Sequence, residues 1–102
     1  MKSEIKRLTE LVQYQEGTIV SKLILNKNHG TVTVFAFDKD QALSEHTAPF
    51  DALLLVLDGT VEVLISGKKH KLLNGDTIIM PADEPHAVKA LDRFKMLLIM
   101  IK

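Results

Sequence analysis

The chain has 102 residues, of which 46% are hydrophobic and 25% are charged, proportions typical of one globular domain with a single core. Thirteen basic residues balance thirteen acidic ones, so the chain lacks the positive charge expected of a protein that binds nucleic acid or an anionic membrane. It contains no cysteine, which excludes disulfides, thiolate metal sites and thiol nucleophiles. The longest apolar runs, Leu53–Leu57 and Met96–Ile101, are too short to span a bilayer, and the first residues lack a signal peptide's apolar stretch. We therefore expect one domain over residues 1–102, located in the cytoplasm.

The first predicted element is a short amphipathic helix. Apolar residues recur at helical spacing in the opening segment, at Ile5, Leu8, Leu11 and Val12. This spacing predicts a helix over about Ser3 to Val12, within an N-terminal helical extension of residues 1–14.

The rest of the chain, residues 18–101, has the pattern of β-strands connected by tight turns. Short runs of β-branched and aliphatic residues alternate with clusters of Asn, Asp, Gly and Pro. The predicted strands are Thr18–Leu25, Thr31–Phe37, Ala52–Leu57, Val61–Ile65, Lys69–Leu73, Thr77–Met80, His86–Ala90 and Lys95–Ile101. Turns that recur about every ten residues are typical of an antiparallel sandwich or barrel, not of a βαβ fold.

Two of these strands are apolar at consecutive positions, Leu53–Leu57 and Met96–Ile101. Successive side chains of a strand point to opposite faces, and only one face of a small barrel can see its interior, so the other face must be covered. The N-terminal helix and the first strand are one possible cover, and a second copy of the chain is the more economical one. We expect a symmetric homodimer that forms through sheet faces.

Four histidines are the candidates for chemistry. His29 lies in a turn beside a glycine and is expected to be solvated. His70 shares strand parity with Leu72, which favours a hydrogen-bonded structural residue. His46 and His86 each lie where a loop meets a strand, among turn residues or prolines, and are the candidate functional histidines.

The segments around these two histidines, Ser44–Gly59 and Gly75–Ala90, resemble the two motifs of the cupin family of small double-stranded β-helix barrels. Five motif positions are matched at the family's spacing: His46, Gly59, Gly75, Pro81 and His86. Two motif glycines are replaced by Asp40 and Asp83, and the final asparagine by Ala90. The resemblance covers about residues 31–101 and implies an all-β cupin jelly-roll barrel, to which this chain adds the short N-terminal helix.

In metal-binding cupins, three histidines and one glutamate or glutamine hold the ion. The resemblance places His46 and His86 at the first and last ligand positions, but Ala48 and Ala52 stand at the other two. Stable transition-metal sites usually have at least three protein ligands. A divalent Fe, Mn, Ni or Zn ion on these two imidazoles is therefore expected to be weakly bound or absent.

A nearby carboxylate would complete a set of two histidines and one carboxylate. Glu45 precedes His46 in the chain, so its side chain points the opposite way in an extended segment. Asp51 is one residue out of register with the glutamate position and is expected to face outward, and Glu84 lies in a proline-bearing loop that the sequence does not place.

Methyl groups at two chelating positions also make the barrel mouth roomier and less polar. Phe50, Met80, Met96 and Met100 lie on segments that could line it, although the same side chains could simply fill the core. We expect a small-molecule-binding barrel in which His46 and His86 form the polar end of the pocket. The alternatives are a metal-dependent enzyme of the dioxygenase or isomerase type that uses the two histidines, and a sensory cupin module that acts with a partner.

Overall fold

The computed structural model describes residues 3–102, and within them nine antiparallel strands form two sheets around one core. The strands are β1 Ile19–Lys27, β2 Gly30–Phe37, β3 Ala42–His46, β4 Asp51–Asp58, β5 Val61–Ile65, β6 Lys68–Leu72, β7 Thr77–Met80, β8 His86–Ala90 and β9 Phe94–Ile101. One sheet has the order β1-β2-β9-β4-β7 and the other β3-β8-β5-β6. The all-β prediction is confirmed. Within the same residues, no helix is long and apolar enough to cross a membrane.

The predicted strands are all present, and β3 is an additional one. Its five residues, Ala42–His46, are mostly exposed, and it pairs only with β8 at the edge of the four-stranded sheet. Such an edge strand does not need an apolar face, so its sequence carries no alternation that would predict it.

The helix predicted over about Ser3 to Val12 is reduced to a three-residue 3-10 turn, Leu8–Glu10. The residue before it, Arg7, makes no side-chain capping hydrogen bond. Instead of forming a helix, the segment lays Leu8, Leu11 and Val12 against Val34 and Ala36 on the outer face of the five-stranded sheet. Tertiary packing of this kind outweighs helical spacing, because a helix of about ten residues is marginal in isolation.

The barrel is closed at one end by aromatic packing. Phe37 and Phe94 are fully buried, with ring centroids 4.6 Å apart. Leu54, Val56 and Met96 are also buried from solvent and continue the core from this end. Each such side chain contributes roughly 1.5–3 kcal/mol relative to exposure. The remaining free space therefore lies at the opposite end, where β9 reaches Met100.

Gly59 lies directly after β4, where the backbone leaves no room for a side chain. Its φ of +83° lies in the left-handed region. A Cβ atom built on it would lie 1.9 Å from the carbonyl oxygen of Arg93 and 2.8 Å from the Cα of Phe94. The glycine lets the β4–β5 turn pack directly on the backbone where β9 begins.

The two aspartates that replace motif glycines also adopt left-handed backbone conformations. Asp40 has a φ of 69° and Asp83 a φ of 65°. Aspartate tolerates this region better than most residues with a side chain. The turns thus keep the shape that glycine would give them.

The five-stranded sheet has a second apolar face that points away from the core. The N-terminal segment covers part of it, around Val34, Ala36 and Leu97. Beyond that cover, one apolar residue of each strand lies in register across the sheet, and we call this set the outer row: Leu25, Val32, Ile99, Leu53 and Ile79. Strand β1, at the sheet edge, changes register between Leu23 and Leu25, next to the start of this row.

Candidate functional site

Strands β3 and β8 bring the two candidate histidines together. His46, the last residue of β3, is paired directly with His86, the first residue of β8. Their ring centroids are 4.4 Å apart, and the rings are arranged edge to face. Two side chains separated by forty positions in sequence therefore form one imidazole pair.

Each imidazole is held by a carbonyl oxygen two residues before it in the chain. His46 Nδ1 lies 2.7 Å from the carbonyl oxygen of Ser44, and His86 Nδ1 lies 3.1 Å from that of Glu84. A carbonyl oxygen only accepts hydrogen bonds, so both Nδ1 atoms carry the proton and donate it. In the neutral form of each ring, Nε2 is left with a free lone pair that can accept a hydrogen bond or bind a cation.

The pair lies on the wall of a cavity of about 60 Å³. All six residues predicted to line the barrel mouth, His46, Phe50, Met80, His86, Met96 and Met100, contribute to it. Five further apolar residues complete the lining: Leu43, Ala48, Ala52, Val88 and Leu98. The cavity therefore has an apolar wall on which the imidazoles are the polar groups.

The residues that sequence reasoning left out of this lining are Leu43, Val88 and Leu98. Leu98 has the same strand parity as Met96 and Met100, so the alternation of β9 was sufficient to include it. Val88 stands in the same relation to His86. Leu43 lies on β3, the strand that the sequence did not predict.

The two histidines differ in burial. His86 is 6% exposed, whereas His46 is an exposed residue at the mouth. His29 and His70 do not line the cavity: His29 is exposed, and His70 is half-buried opposite Val63 in the β5–β6 pair. The structure thus places His46 and His86 apart from the other two histidines.

The three candidate carboxylates do not line the cavity. Glu45 and Glu84 are exposed, and Asp51 points outward to accept a hydrogen bond from the Ala82 amide at 2.8 Å. Within residues 3–102, no group of three or more His, Asp or Glu side chains is placed to hold a metal ion.

Ala48 and Ala52 line the same cavity as the two histidines, so methyl groups stand where the resemblance implies a histidine and a glutamate. Two of the four donors are therefore replaced by groups that cannot bind a cation. The residues present do not fit a three-histidine, one-glutamate metal site.

Outside the cavity, a polar cluster fastens the N-terminal segment to the barrel. The Tyr14 hydroxyl donates to Asp58 at 2.5 Å, and both the burial of Tyr14 and this bond to a carboxylate raise its pKa above the ordinary value. Asp38 accepts from the Gly17 amide at 2.7 Å and from Arg93 Nε at 2.8 Å, and these bonds lower the pKa of its carboxyl group. These interactions stabilise the fold and lie apart from the histidine pair.

Comparison with known proteins agrees with this architecture. A conserved protein of unknown function from Streptococcus pyogenes is 32% identical, with a TM-score of 0.95 over all of this chain and 90% of its own. A cupin superfamily protein from Desulfitobacterium hafniense is 26% identical, with a TM-score of 0.93 over 99% of this chain and 93% of its own.

Two further relatives extend the comparison. A cupin 2 conserved barrel domain protein from Leptotrichia buccalis is 43% identical, with a TM-score of 0.89 over 92% of this chain and 46% of its own. This chain thus spans about half of that relative's length. An uncharacterized protein from Aquifex aeolicus is 29% identical over 97 residues, which are 93% of this chain and 80% of the relative.

Residues 33–102 match the family model of the cupin domain. The match includes both histidines, both alanines at the lost ligand positions and every strand from β3 to β9. The chain belongs to the cupin family.

Proposed function

We propose that this cupin binds a small, mainly apolar molecule whose polar end is held by His46 and His86. The observation that carries the proposal is the cavity of about 60 Å³, in which nine apolar side chains surround the imidazole pair. Binding pockets have this composition, with few polar groups that fix the orientation of the ligand in a mainly apolar wall.

The hydrogen bonds of the two rings favour a ligand that donates a proton. Both Nδ1 atoms are occupied by backbone carbonyls, so each neutral imidazole presents an acceptor at Nε2. A hydroxyl or amine group can bond to this lone pair, whereas a carboxylate offers only acceptors. We therefore expect alcohols to bind in preference to carboxylates of the same size.

The cavity also sets the size of the ligand. One water needs at least about 10–15 Å³ of free space, so a cavity of about 60 Å³ has room for a ligand of about five non-hydrogen atoms. The methionines in the wall can change rotamer and admit a somewhat larger molecule. A ligand of five atoms is expected to bind with a Kd on the order of millimolar or weaker.

The test is an NMR titration of the labelled protein with butan-1-ol and, in parallel, with butanoate. Butan-1-ol should shift the resonances of cavity residues such as His86 and Val88 at concentrations where butanoate leaves them unchanged. Shifts that are scattered over the surface, or equal responses to both compounds, would contradict the proposal.

Two alanines of similar burial provide a matched pair of variants. Ala48 lines the cavity, whereas Ala87 lies on β8 with its side chain on the opposite face to His86 and Val88. Ala48→Leu should fill the mouth and abolish the butan-1-ol shifts, and Ala87→Leu should leave them intact. Binding that survives Ala48→Leu would place the ligand elsewhere.

The metal-dependent alternative is tested by elemental analysis of protein purified without a metal-affinity tag. A stoichiometric divalent ion that EDTA removes would favour the enzyme over the binding protein. Ala48→His combined with Ala52→Glu should restore the four-donor set and raise the affinity for Zn(II) by several orders of magnitude. No gain would show that the motif alignment at these two positions is wrong.

We also propose that the protein acts as a symmetric homodimer whose interface contains the outer row. The row runs across all five strands, bears no charge and lies beyond the reach of the chain's own N-terminal segment. Five strands about 4.8 Å apart and a row about 6.8 Å deep give on the order of 160 Å² per copy, so the row is one part of the interface. Ile5, which is fully exposed on the N-terminal segment, adds apolar area towards the roughly 800 Å² of a standard interface. A two-fold axis would place each row on its counterpart.

A further inference from the structure

One buried hydroxyl at the open end of the barrel has no hydrogen-bond partner. Thr31 on β2 is 8% exposed, and among residues 3–102 its Oγ1 is the only buried side-chain oxygen or nitrogen that bonds to no other group. Thr77 on β7, by contrast, donates its hydroxyl to the Leu54 carbonyl at 2.9 Å. Buried hydroxyls are nearly always bonded, because an unpaired one loses the hydrogen bond that water would give it. A polar group that reached Thr31 would therefore gain a full hydrogen bond.

The register of the five-stranded sheet connects Thr31 to the cavity. Thr31 has the same strand parity as Phe37 in the core, so its side chain lies on the inner face of the sheet. Four strands each place one residue in register on this face, and we call the set the inner row: Thr31, Met100, Ala52 and Met80. The last three line the cavity, and Thr31 is the next residue of the row beyond Met100.

Met100 is the side chain that separates Thr31 from the rest of the cavity. Residues directly opposite each other on antiparallel strands have Cβ atoms about 4.5–5.5 Å apart, so the Thr31 hydroxyl lies beside the Met100 side chain. Met100 is half-buried and unbranched, with three rotatable bonds. A change of its rotamer joins the space beside Thr31 to the cavity that the imidazole pair lines.

We infer that the ligand carries a second hydroxyl group, which bonds to Thr31 Oγ1 while the imidazole pair holds the first. The inference rests on the proposed function, because it extends the same cavity. Thr31 and Ala52 are two strands apart, which corresponds to about 10 Å. An extended butanediol with a hydrogen bond of about 2.8 Å at each end spans a similar distance. The second group must be uncharged, because Met100 beside Thr31 offers it no opposite charge.

The test compares butane-1,4-diol with pentan-1-ol in NMR titrations of the labelled protein. The two compounds have the same number of non-hydrogen atoms and differ only in a terminal hydroxyl that replaces a methyl group. Both should shift the resonances of His86 and Val88, and the diol alone should shift those of Thr31. Thr31→Val keeps the shape of the side chain without its hydroxyl. It should weaken diol binding by about tenfold, the equivalent of one buried hydrogen bond, and leave pentan-1-ol binding unchanged.

Two further variants are the controls. Thr33→Val removes the half-buried hydroxyl of the next inward-facing residue on β2, and Thr31→Ser keeps the hydroxyl of the inner row. Both should bind the diol nearly as the wild type does. Diol binding that is unchanged in Thr31→Val, or is lost in Thr33→Val instead, would overturn the inference and leave alcohol binding intact. If neither compound shifts the cavity resonances of the wild type, the proposed function fails and the inference fails with it.

Discussion

The two paired histidines each donate to the carbonyl oxygen two residues earlier in the chain, but their surroundings differ. His46 is exposed at the mouth, and His86 is 6% exposed against the core. Removal of an exposed ring loses little packing, whereas removal of a buried one leaves a cavity and an unpaired carbonyl. Similar chemistry therefore does not imply a similar contribution to stability.

His46→Ala should lower the free energy of unfolding by less than about 1 kcal/mol, and His86→Ala by about 2 kcal/mol or more. Urea unfolding followed by circular dichroism measures both values. A loss above about 2 kcal/mol for His46→Ala would show that its ring is a structural group and not a solvated one.

Two turn glycines, Gly59 and Gly75, also differ in the space around them. Gly59 and Gly75 both have positive φ, +83° and +90°, but a Cβ at Gly59 would collide with the Arg93 carbonyl, while a Cβ at Gly75 would have no atom within 4 Å. Gly75→Ala therefore introduces only backbone strain, of roughly 1–2 kcal/mol.

Gly59→Ala should destabilise the protein by several kcal/mol more than Gly75→Ala, because the strain is the same and the collision is added. Thermal unfolding of the two variants side by side makes the comparison. Equal losses would mean that the start of β9 can move away from the turn at little cost.

At the level of elements, the N-terminal segment is held by side chains rather than by helical hydrogen bonds. Lys95 on β9 is 8% exposed and donates to the Thr9 carbonyl at 2.5 Å, with its Nζ 4.9 Å from the centre of the Tyr14 ring. Tyr14 in turn donates to Asp58 on β4. One buried cation and one phenol thus fasten an irregular segment to two strands.

This attachment predicts a loss of stability at high pH. An unfolded chain releases the Tyr14 proton near pH 10, whereas the folded chain holds it to higher pH because burial and the Asp58 carboxylate raise its pKa. The contribution of protonated Tyr14 to the free energy of unfolding is therefore complete below pH 10 and decreases above it. Tyr14→Phe should remove this part of the pH dependence, as measured by urea unfolding between about pH 9 and pH 12.

The chain contains one tyrosine, so its phenolate absorbance reports Tyr14 alone. Asp58→Asn should bring the Tyr14 pKa down towards the ordinary value in the folded protein. If the phenolate absorbance of the wild type rises with a midpoint near pH 10, Tyr14 is solvated and the segment is held in another way.

The element order was readable from the sequence wherever local chemistry and tertiary packing agree. Short runs of apolar residues and positive-φ turns such as Asp58-Gly59 fix the strands from β4 to β9, because the turn residues and the core require the same register. The N-terminal helix fails as a prediction since helical spacing also suits a segment laid on a sheet. Strand β3 was missed, because an exposed edge strand needs no apolar residues that would reveal it.

At the scale of the whole molecule, the dimer proposal predicts a response to charge in the outer row. Ile79 is 59% exposed within that row, and Leu73 is 53% exposed in the turn between β6 and β7. Ile79→Lys should convert a dimer into a monomer, because the two-fold symmetry places two added charges, one from each copy, in the apolar contact. Leu73→Lys is the matched control and should remain dimeric.

Light scattering at micromolar concentration measures the mass of both variants and of the wild type. A monomeric wild-type protein would refute the dimer, and a dimeric Ile79→Lys variant would place the interface away from the outer row. Neither result depends on the ligand of the cavity.

The site illustrates what a sequence can and cannot establish about the whole molecule. Motif spacing predicts that His46 and His86 lie at one cavity, since the barrel topology fixes where β3 ends and where β8 begins. The volume of the cavity and the row that places Met80 and Met100 beside Ala52 depend on pairings between distant strands, so they required the structure.

The change of register in β1 has a consequence for how this protein behaves at high concentration. As an edge strand of nine residues, β1 presents unpaired backbone groups that could template the addition of other chains and begin an aggregate. The irregularity between Leu23 and Leu25 interrupts that template, and Lys22 and Lys27 add repulsion on either side of it. The edge can thus keep exposed leucines without becoming a seed for fibres.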